Sequence, residues 1–459
     1  MQGGTVAGGQ SERSVSDRVR AVDRAWADAE SGRADKEVTR ESFKGMVWDL
    51  GEPTNVRCRV IEKLMSDLTA EGAVDTANLV RLRLPTETDW TMIETMCRGA
   101  ADRGWQSVTP GLVRSYARPV PAPSDAERPE RRAIECLHPG KDVEQVVFEV
   151  FAAPADGEAG ERVRQDAWEL LGRLDTDGSA RASLLAADSD ASEDPLLADL
   201  QAFASAFGMV PITSMELQWA RALRTPEHAE WWSECAQRIA ALGGEQREGL
   251  SMRHIEAVRL ADEATLSRGR DDLLNEVERR VRARKRHNRS EGAADYTKPE
   301  TLHAWGQDLV WGDLCVMLVL DDAVRQPAVL AELHRQVAQD RQDTSTEHGG
   351  VLRAAKSSGS AGDRFEAVGF SPRPVQRLGD TRFVAPEEMI RASDTALAHY
   401  HFHAQRAQNV DYAGPGPGDI EFAARSGRGC VVFTSIDDRT LNVDYYIRGG
   451  AVIDLRDVR

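Results

Sequence analysis

Apolar residues recur at helical spacing through most of residues 16–310. One apolar stripe over residues 162–174 predicts a helix, because its members follow one another every three to four positions. A second stripe predicts a helix over residues 196–207, with Pro195 at its first position and Gly208 just past its end. Pro fits the first turn of a helix and Gly fits the position after the last turn, so this pair supports the predicted bounds.

Further helices are expected in succession along this region. They span residues 53–68, 88–103, 106–117, 129–137 and 142–152. The segment 162–171 resembles the second helix of a HEAT-type repeat, but no repeat period is evident. Two hypotheses for residues 16–287 therefore stay open. One is a HEAT-like solenoid, whose concave surface would bind a protein partner. The other is an irregular all-α domain.

The pattern changes to alternating helices and short apolar runs in the C-terminal third. We interpret residues 315–320 as a strand, 326–340 as a helix and 430–434 as another strand. These elements predict a multidomain chain with an α/β domain over residues 313–459. We expect residues 288–312 to be a linker and the Gly- and Ser-rich residues 1–15 to be a disordered tail. A further acidic loop is expected at residues 175–195.

Composition narrows the class of protein. A net charge of −17 favours solubility and argues against general nucleic-acid binding. The basic run over residues 279–289 is expected to close a helical stretch that begins near Ser251, as a solvated face. No apolar run is long enough to span a membrane, and the N-terminus lacks the apolar core of a signal peptide. The six scattered cysteines predict reduced thiols in a cytoplasmic protein.

The candidate chemistry is concentrated in a histidine-rich segment, residues 398–403. If this segment is a strand, His399, His401 and His403 point to one face and the intervening residues to the other. Two imidazoles on one strand face can share a metal ion. The competing interpretation is a polar strand face whose imidazoles bond to neighbours or to water.

Two carboxylates flank this strand. Asp419 follows a Gly- and Pro-rich turn and sits at the start of a predicted short helix that ends at Gly427. Asp is a favoured helix cap, so a structural role competes with that of a metal ligand. Glu347 precedes Gly349 and Gly350 at the start of an apolar run, where a solvated surface residue is the simpler hypothesis.

Together these residues resemble the JAB/MPN superfamily, whose active members carry the JAMM zinc-hydrolase motif. That motif has a Glu before a Gly-rich strand, then His-x-His, then Ser-x-x-Asp opening a helix. Glu347, His401, His403 and Asp419 match its four charged or metal-binding positions in the right order. The resemblance covers roughly residues 314–459 and implies a cytidine-deaminase-like α/β fold.

The chain also departs from the family pattern. The family Ser falls on Gly416, so its hydroxyl is absent, and Ala404 stands where a Pro often follows the second His. The spacer before Gly416 is longer than usual for the family. The Ser is thought to hydrogen-bond an oxyanion, and losing one such donor typically costs about 100–1000-fold in rate.

The resemblance implies a zinc-dependent hydrolase of a peptide or isopeptide bond. His401, His403 and Asp419 would bind Zn²⁺, and Glu347 would act as general base and then general acid. His399 would be an outer hydrogen-bond partner or a substitute ligand. The substrate or partner would be a protein, with a ubiquitin-like protein as one candidate. The alternative is a catalytically inactive JAB/MPN-like scaffold, which the absence of the Ser hydroxyl favours.

Overall fold

A computed structural model describes residues 14–120, 123–155, 157–175, 178, 180–182, 185, 194–287, 299–355, 364–379, 381–405 and 409–459. The chain divides into two compact units, Met1–Asp175 and Thr176–Arg459. The first unit is helical. The second contains further helices and a six-stranded sheet, so the predicted combination of an all-α N-terminal part with an α/β C-terminal part is confirmed at this level.

The first unit is built from nine consecutive helices, within the described residues. They are α1 (Val15–Glu30), α2 (Lys36–Trp48), α3 (Thr54–Met65), α4 (Ala70–Arg83), α5 (Trp90–Asp102), α6 (Thr109–Ala117), α7 (Pro129–Leu137), α8 (Val143–Ala152) and α9 (Gly157–Leu174). Helix α1 packs on α3, α3 on α5 and α5 on α7, while α4 packs on α6 and α6 on α9. This two-layer stacking is compatible with helical repeats, whose assignment to the HEAT class stays a prediction.

The second unit contains the helix that the sequence predicts over residues 196–207. Its helices are α10 (Pro195–Phe207), α11 (Ser214–Ala222), α12 (Ala229–Ala241), α13 (Gly244–Arg247), α14 (Ile255–Leu260), α15 (Glu263–Leu266), α16 (Arg270–Val281), α17 (Leu302–Trp305), α18 (Trp311–Val324), α19 (Pro327–Asp340), α20 (Glu387–Ala392) and α21 (Pro417–Ser426). Gly208 ends α10 with a left-handed backbone, φ 67°, which glycine adopts without strain.

The sheet has the order β2-β1-β3-β4-β5-β6. Its strands are β1 (Gly349–Ala354), β2 (Phe365–Phe370), β3 (Ala398–His403), β4 (Cys430–Asp437), β5 (Thr440–Tyr446) and β6 (Val452–Val458). Strands β3 and β4 are parallel, and the other neighbouring pairs are antiparallel. A parallel pair needs a crossover connection, and α21 supplies it between β3 and β4.

The predicted strand at residues 315–320 is wrong, because this segment lies inside helix α18. Every residue of α18 except Asp322 is buried. A helix that is buried all round has no polar face, so its sequence shows no helical period. A short apolar run of this kind cannot be told from a buried strand by its pattern alone.

The division between the units also differs from the predicted linker at residues 288–312. Residues 288–298 lie outside the described residues, but α17 and the start of α18 fall within the rest of the predicted linker. One hydrophobic core joins residues of α10–α12, α14 and α16 with α18, α19 and the sheet. The physical reason is that α14 and α16 pack on α18, which in turn contacts β6.

A buried polar cluster fixes the N-terminus of α18 to the preceding helical region. Asp313 accepts hydrogen bonds from Arg253 Nε and His254 Nε2, each at 2.9 Å. Burial would raise the pKa of Asp313, but the charge of Arg253 and the His254 imidazole hold it well below its usual range. Burial, together with the charge of Arg253, lowers the pKa of His254. The buried carboxylate of Asp313 is therefore satisfied by residues that lie outside the predicted domain 313–459.

The basic run is not the end of one long helix. Residues 252–281 form a short 3₁₀ turn and the separate helices α14, α15 and α16. The arginines of the basic run that the structure describes form ion pairs, so the run is not a purely solvated face. Arg279 and Arg280 pair with Glu276, and Arg284 pairs with the buried Asp321 at 2.6 Å.

Two other sequence-based expectations fall at the edge of the described structure. Residues 1–13 of the predicted tail lie outside it, whereas Ser14 caps α1 by accepting a hydrogen bond from the Asp17 N–H. Most of the predicted acidic loop at 175–195 also lies outside it. Among the described helices, none is both long and apolar enough to cross a membrane.

Candidate metal centre

Strand β3 alternates as its sequence predicts. Ala398, Tyr400 and Phe402 face the hydrophobic core, where the Tyr400 hydroxyl donates a hydrogen bond to Gln336 Oε1 at 2.7 Å. His399, His401 and His403 line a cavity on the opposite face. The two-residue period of a strand therefore presents three imidazoles to one space.

Helix α21 brings Asp419 to the same space. Helix α21 lies between β3 and β4 in the chain, and its first turn places Asp419 beside His401 of β3. Gly416 occupies the cap position, and Asp419 is the third helical residue rather than the cap itself. Its Oδ2 accepts a hydrogen bond from the Gly416 N–H at 2.6 Å, which orients the carboxylate. Gly427 ends the helix, as predicted, with φ 65°.

The three proposed ligands converge. One ligand atom from each of His401, His403 and Asp419 lies within 4.8 Å of the other two. His401 Nε2 is 3.4 Å from Asp419 Oδ2. This separation exceeds a normal hydrogen bond and matches the edge of a zinc tetrahedron, about 3.3–3.6 Å for metal–ligand bonds of about 2.0–2.2 Å.

The imidazole of His401 is buried among aromatic rings. Phe383 stacks on it with the planes 5° apart and the centroids separated by 5.9 Å. His401 Nε2 is buried, makes no hydrogen bond of normal geometry and faces Asp419 Oδ2 at 3.4 Å, with which it forms an ion pair when protonated. A buried imidazole nitrogen and a carboxylate oxygen that face each other in this way could also share a metal ion.

His403 is oriented from the opposite side. Its Nδ1 lies 2.7 Å from the carbonyl oxygen of Tyr412, which can only accept a hydrogen bond. The proton of a neutral His403 is therefore on Nδ1, and Nε2 is the nitrogen with the lone pair. A backbone carbonyl that fixes the tautomer in this way is a common support for histidine metal ligands.

The charges of the site are strongly coupled. Burial by itself would lower the pKa of His401, but the carboxylate of Asp419, with a smaller contribution from Glu347, raises it to about 9. Burial would raise the pKa of Asp419, and the charge of His401 outweighs it, so this pKa lies well below its usual range. In the absence of an ion these shifts describe an ion pair between His401 and Asp419, and the same three side chains are a group that could hold a metal ion.

Glu347 lies in the same cavity, two residues before β1, and is buried rather than solvated. Gln405 Nε2 donates a hydrogen bond to Glu347 Oε1 at 2.9 Å. The structure thus places all four residues of the sequence motif around one space. Glu347 is not one of the three residues whose ligand atoms cluster.

The two glycines after Glu347 allow β1 to approach β3 closely. A Cβ on Gly349 would lie 2.5 Å from the Tyr400 carbonyl oxygen and 2.6 Å from the Phe383 ring. A Cβ on Gly350 would lie 2.1 Å from the Val368 carbonyl oxygen. Only glycine fits at these distances, so the Gly pair sets the position of Glu347 relative to β3.

The cavity has a volume of about 920 Å³, within the range of ligand pockets in proteins. Sequence analysis did not identify Gln405, Tyr412 or Phe383 as members of the site. Gln405 continues the alternation of the three histidines by one more step, and that pattern could have identified it. Tyr412 and Phe383 come from loops whose sequence carries no comparable signal.

Comparison of the chain with known proteins finds no matching family model, curated protein or solved structure.

Proposed function

We propose that this protein is a zinc-dependent hydrolase of a peptide or isopeptide bond. The observation that carries the proposal is the convergence of His401, His403 and Asp419 beside the buried Glu347 in one open cavity. Two imidazoles and a carboxylate are a donor set that zinc accepts, and three protein ligands leave one position open, as in catalytic zinc sites.

The residues present fit a zinc ion. His401 directs a buried nitrogen towards Asp419, and His403 presents Nε2 because its Nδ1 proton is engaged by Tyr412. Asp419 adds negative charge at a distance that suits a shared ion. When bound, zinc supplies Lewis-acid chemistry, by which it lowers the pKa of water and polarises a carbonyl group.

The protein's own groups then account for proton transfer. Glu347 accepts a proton from the attacking water and passes it to the leaving amine, as general base and then general acid. Gln405 holds one oxygen of Glu347 by a hydrogen bond, which orients the carboxylate in the lining of the cavity. Phe383 shields the His401 side of the site from water and thereby strengthens its electrostatic interactions.

The resemblance to the JAB/MPN superfamily supports the peptidase class. The order of elements around the motif is compatible with it, since Glu347 precedes β1, the His pair ends β3 and Asp419 opens the crossover helix. We place this domain's fold in that superfamily as part of the proposal. The substrate is then a protein or peptide, and the first unit is proposed to bind a protein partner.

One observation favours a non-catalytic scaffold instead. Gly416 caps α21 and has no side chain, so the hydroxyl of the family Ser is missing from the position next to Asp419. In this alternative the domain keeps its metal-binding residues but cleaves nothing.

Metal removal separates the two functions. We expect zinc-loaded protein to cleave at least one member of a panel of ubiquitin-like fusions and short peptides. Chelation should abolish that cleavage and added zinc should restore it, measured by mass spectrometry of the products. Cleavage that survives complete chelation would contradict a zinc mechanism, and an inert zinc-loaded protein would favour the scaffold.

A further inference from the structure

One guanidinium group in the lining of the cavity has no partner of opposite charge. Besides histidines, the charged residues of the lining are Glu347, Arg382, Asp419, Glu421 and Arg425. Glu421 and Arg425 pair with each other at 3.8 Å, and the two carboxylates of the candidate metal centre have the contacts described above. Arg382 forms no ion pair or hydrogen bond with any residue that the structure describes.

The other arginines of the same part of the chain differ from Arg382 in this respect. Arg377 pairs with Asp343 at 2.7 Å, and Arg391 pairs with Glu387 at 3.3 Å. The chain has 75 acidic and 58 basic residues, so carboxylates are in excess. Arg382 therefore keeps its N–H donors available in a cavity, while arginines nearby in the chain use theirs within the protein.

The backbone on both sides of Arg382 is anchored beside the candidate metal centre. Phe383 follows it directly and stacks on the imidazole of His401, with the ring centroids 5.9 Å apart. On the other side, the Gly379 N–H donates a hydrogen bond to the Ser345 carbonyl oxygen at 3.0 Å. Arg382 is itself exposed, so a molecule that enters the cavity can reach its guanidinium.

We propose that Arg382 binds a carboxylate group of the substrate, and that the protein therefore acts on peptides that carry such a group in this cavity. The proposal rests on the proposed hydrolase function, which defines the bound molecule as a substrate. A guanidinium presents a planar fork of donors that matches the two oxygens of a carboxylate. A free peptide C-terminus and an acidic side chain both offer this pair of oxygens.

Two matched pairs of peptides test the proposal and distinguish the two sources of the carboxylate. The first pair is acetyl-trialanine with a free C-terminus and the same peptide as its amide. The second pair is acetyl-Ala-Asp-Ala amide and acetyl-Ala-Asn-Ala amide. Ligand-observed NMR titrations measure their binding to the chelator-treated full chain, so that a metal ion cannot bind the carboxylate instead.

We expect the carboxylate peptide of at least one pair to bind about 3–5-fold more tightly than its neutral partner, as for a strong ion pair near the surface. Added salt should reduce this preference, because ions screen exposed charges. A preference in the first pair assigns the carboxylate to a peptide C-terminus. A preference in the second pair assigns it to an acidic side chain.

Variants of Arg382 connect the preference to this residue. Arg382→Gln should abolish it, and Arg382→Lys should keep part of it, because lysine retains the charge without the planar fork. The matched control is Arg391→Gln, since Arg391 is 66% exposed and lies outside the cavity lining. This control should keep the full preference. Denaturant titration should give all three variants the same unfolding midpoint as the wild type within error.

Binding to metal-free protein separates a failure of this proposal from a failure of the hydrolase function. A zinc-loaded protein that cleaves nothing counts against the hydrolase and leaves the carboxylate preference measurable. Where cleavage is found, Arg382→Gln should raise KM for the carboxylate peptide more than it lowers kcat. The absence of a preference in both peptide pairs, or a preference unchanged in Arg382→Gln, overturns the proposal.

Discussion

Glu347→Gln is expected to reduce turnover by at least about 100-fold and to leave the zinc content unchanged. The amide has the shape of the carboxylate and can still form hydrogen bonds in the buried position. It cannot accept a proton from water, so the step assigned to Glu347 fails. Because Glu347 is not among the clustered metal ligands, removal of its charge should not release the ion. Initial rates and elemental analysis of the same preparation measure the two effects.

The matched control is Glu366→Gln, the same chemical change on β2. Glu366 pairs with Arg353 at 2.8 Å and does not line the cavity. We expect it to retain activity within about twofold, because this half-buried pair lies away from the cavity and an ion pair near the surface typically contributes about 0–1 kcal/mol. Cleavage that is unchanged in Glu347→Gln would refute the proposed mechanism. Loss of zinc from this variant would show that Glu347 is a ligand.

The fragment of residues 313–459 is expected not to fold, whereas residues 176–459 should unfold in one cooperative transition. The shorter fragment lacks α14 and α16, which cover α18. It thereby exposes side chains that are buried in the chain, among them Leu314, Met317 and Leu318. Each exposed side chain of this kind costs about 1.5–3 kcal/mol, and a domain has only about 5–15 kcal/mol of net stability.

Asp313 adds a polar contribution to this instability. In the short fragment it loses the hydrogen bonds from both Arg253 and His254. Circular dichroism and denaturant titration of the two fragments compare their folding directly. A cooperative transition in residues 313–459 alone would show that the linker predicted from sequence marks the domain boundary after all.

The local features of the site could be predicted from the sequence. The alternation in β3 separates the histidine face from the core face, because a strand has a fixed period of two residues. The stop of α21 at Gly427 follows from the left-handed conformation that glycine adopts readily. The three converging residues could be identified from the order in which the parts of the motif follow one another along the chain. No single part of the motif identified them.

The remaining features depend on contacts between distant parts of the chain. Helix α18 is buried on nearly all sides because it is enclosed by α14, α16 and the sheet, and an isolated sequence window carries no sign of this. Because of the same packing, the two compact units divide after Asp175 and not at the linker predicted over residues 288–312. Phe383 reaches His401 from a loop, and the Tyr412 contact uses a backbone carbonyl, so neither depends on a recognisable local pattern.

The zinc content of the purified full chain tests the central claim most directly. Protein never exposed to a chelator is expected to contain about one zinc per chain by elemental analysis. His401→Ala should contain close to none, because one of three protein ligands is gone, while His303→Ala, which removes an exposed histidine on α17, should keep the metal. Wild-type protein that carries no zinc and takes up none on addition would contradict the account.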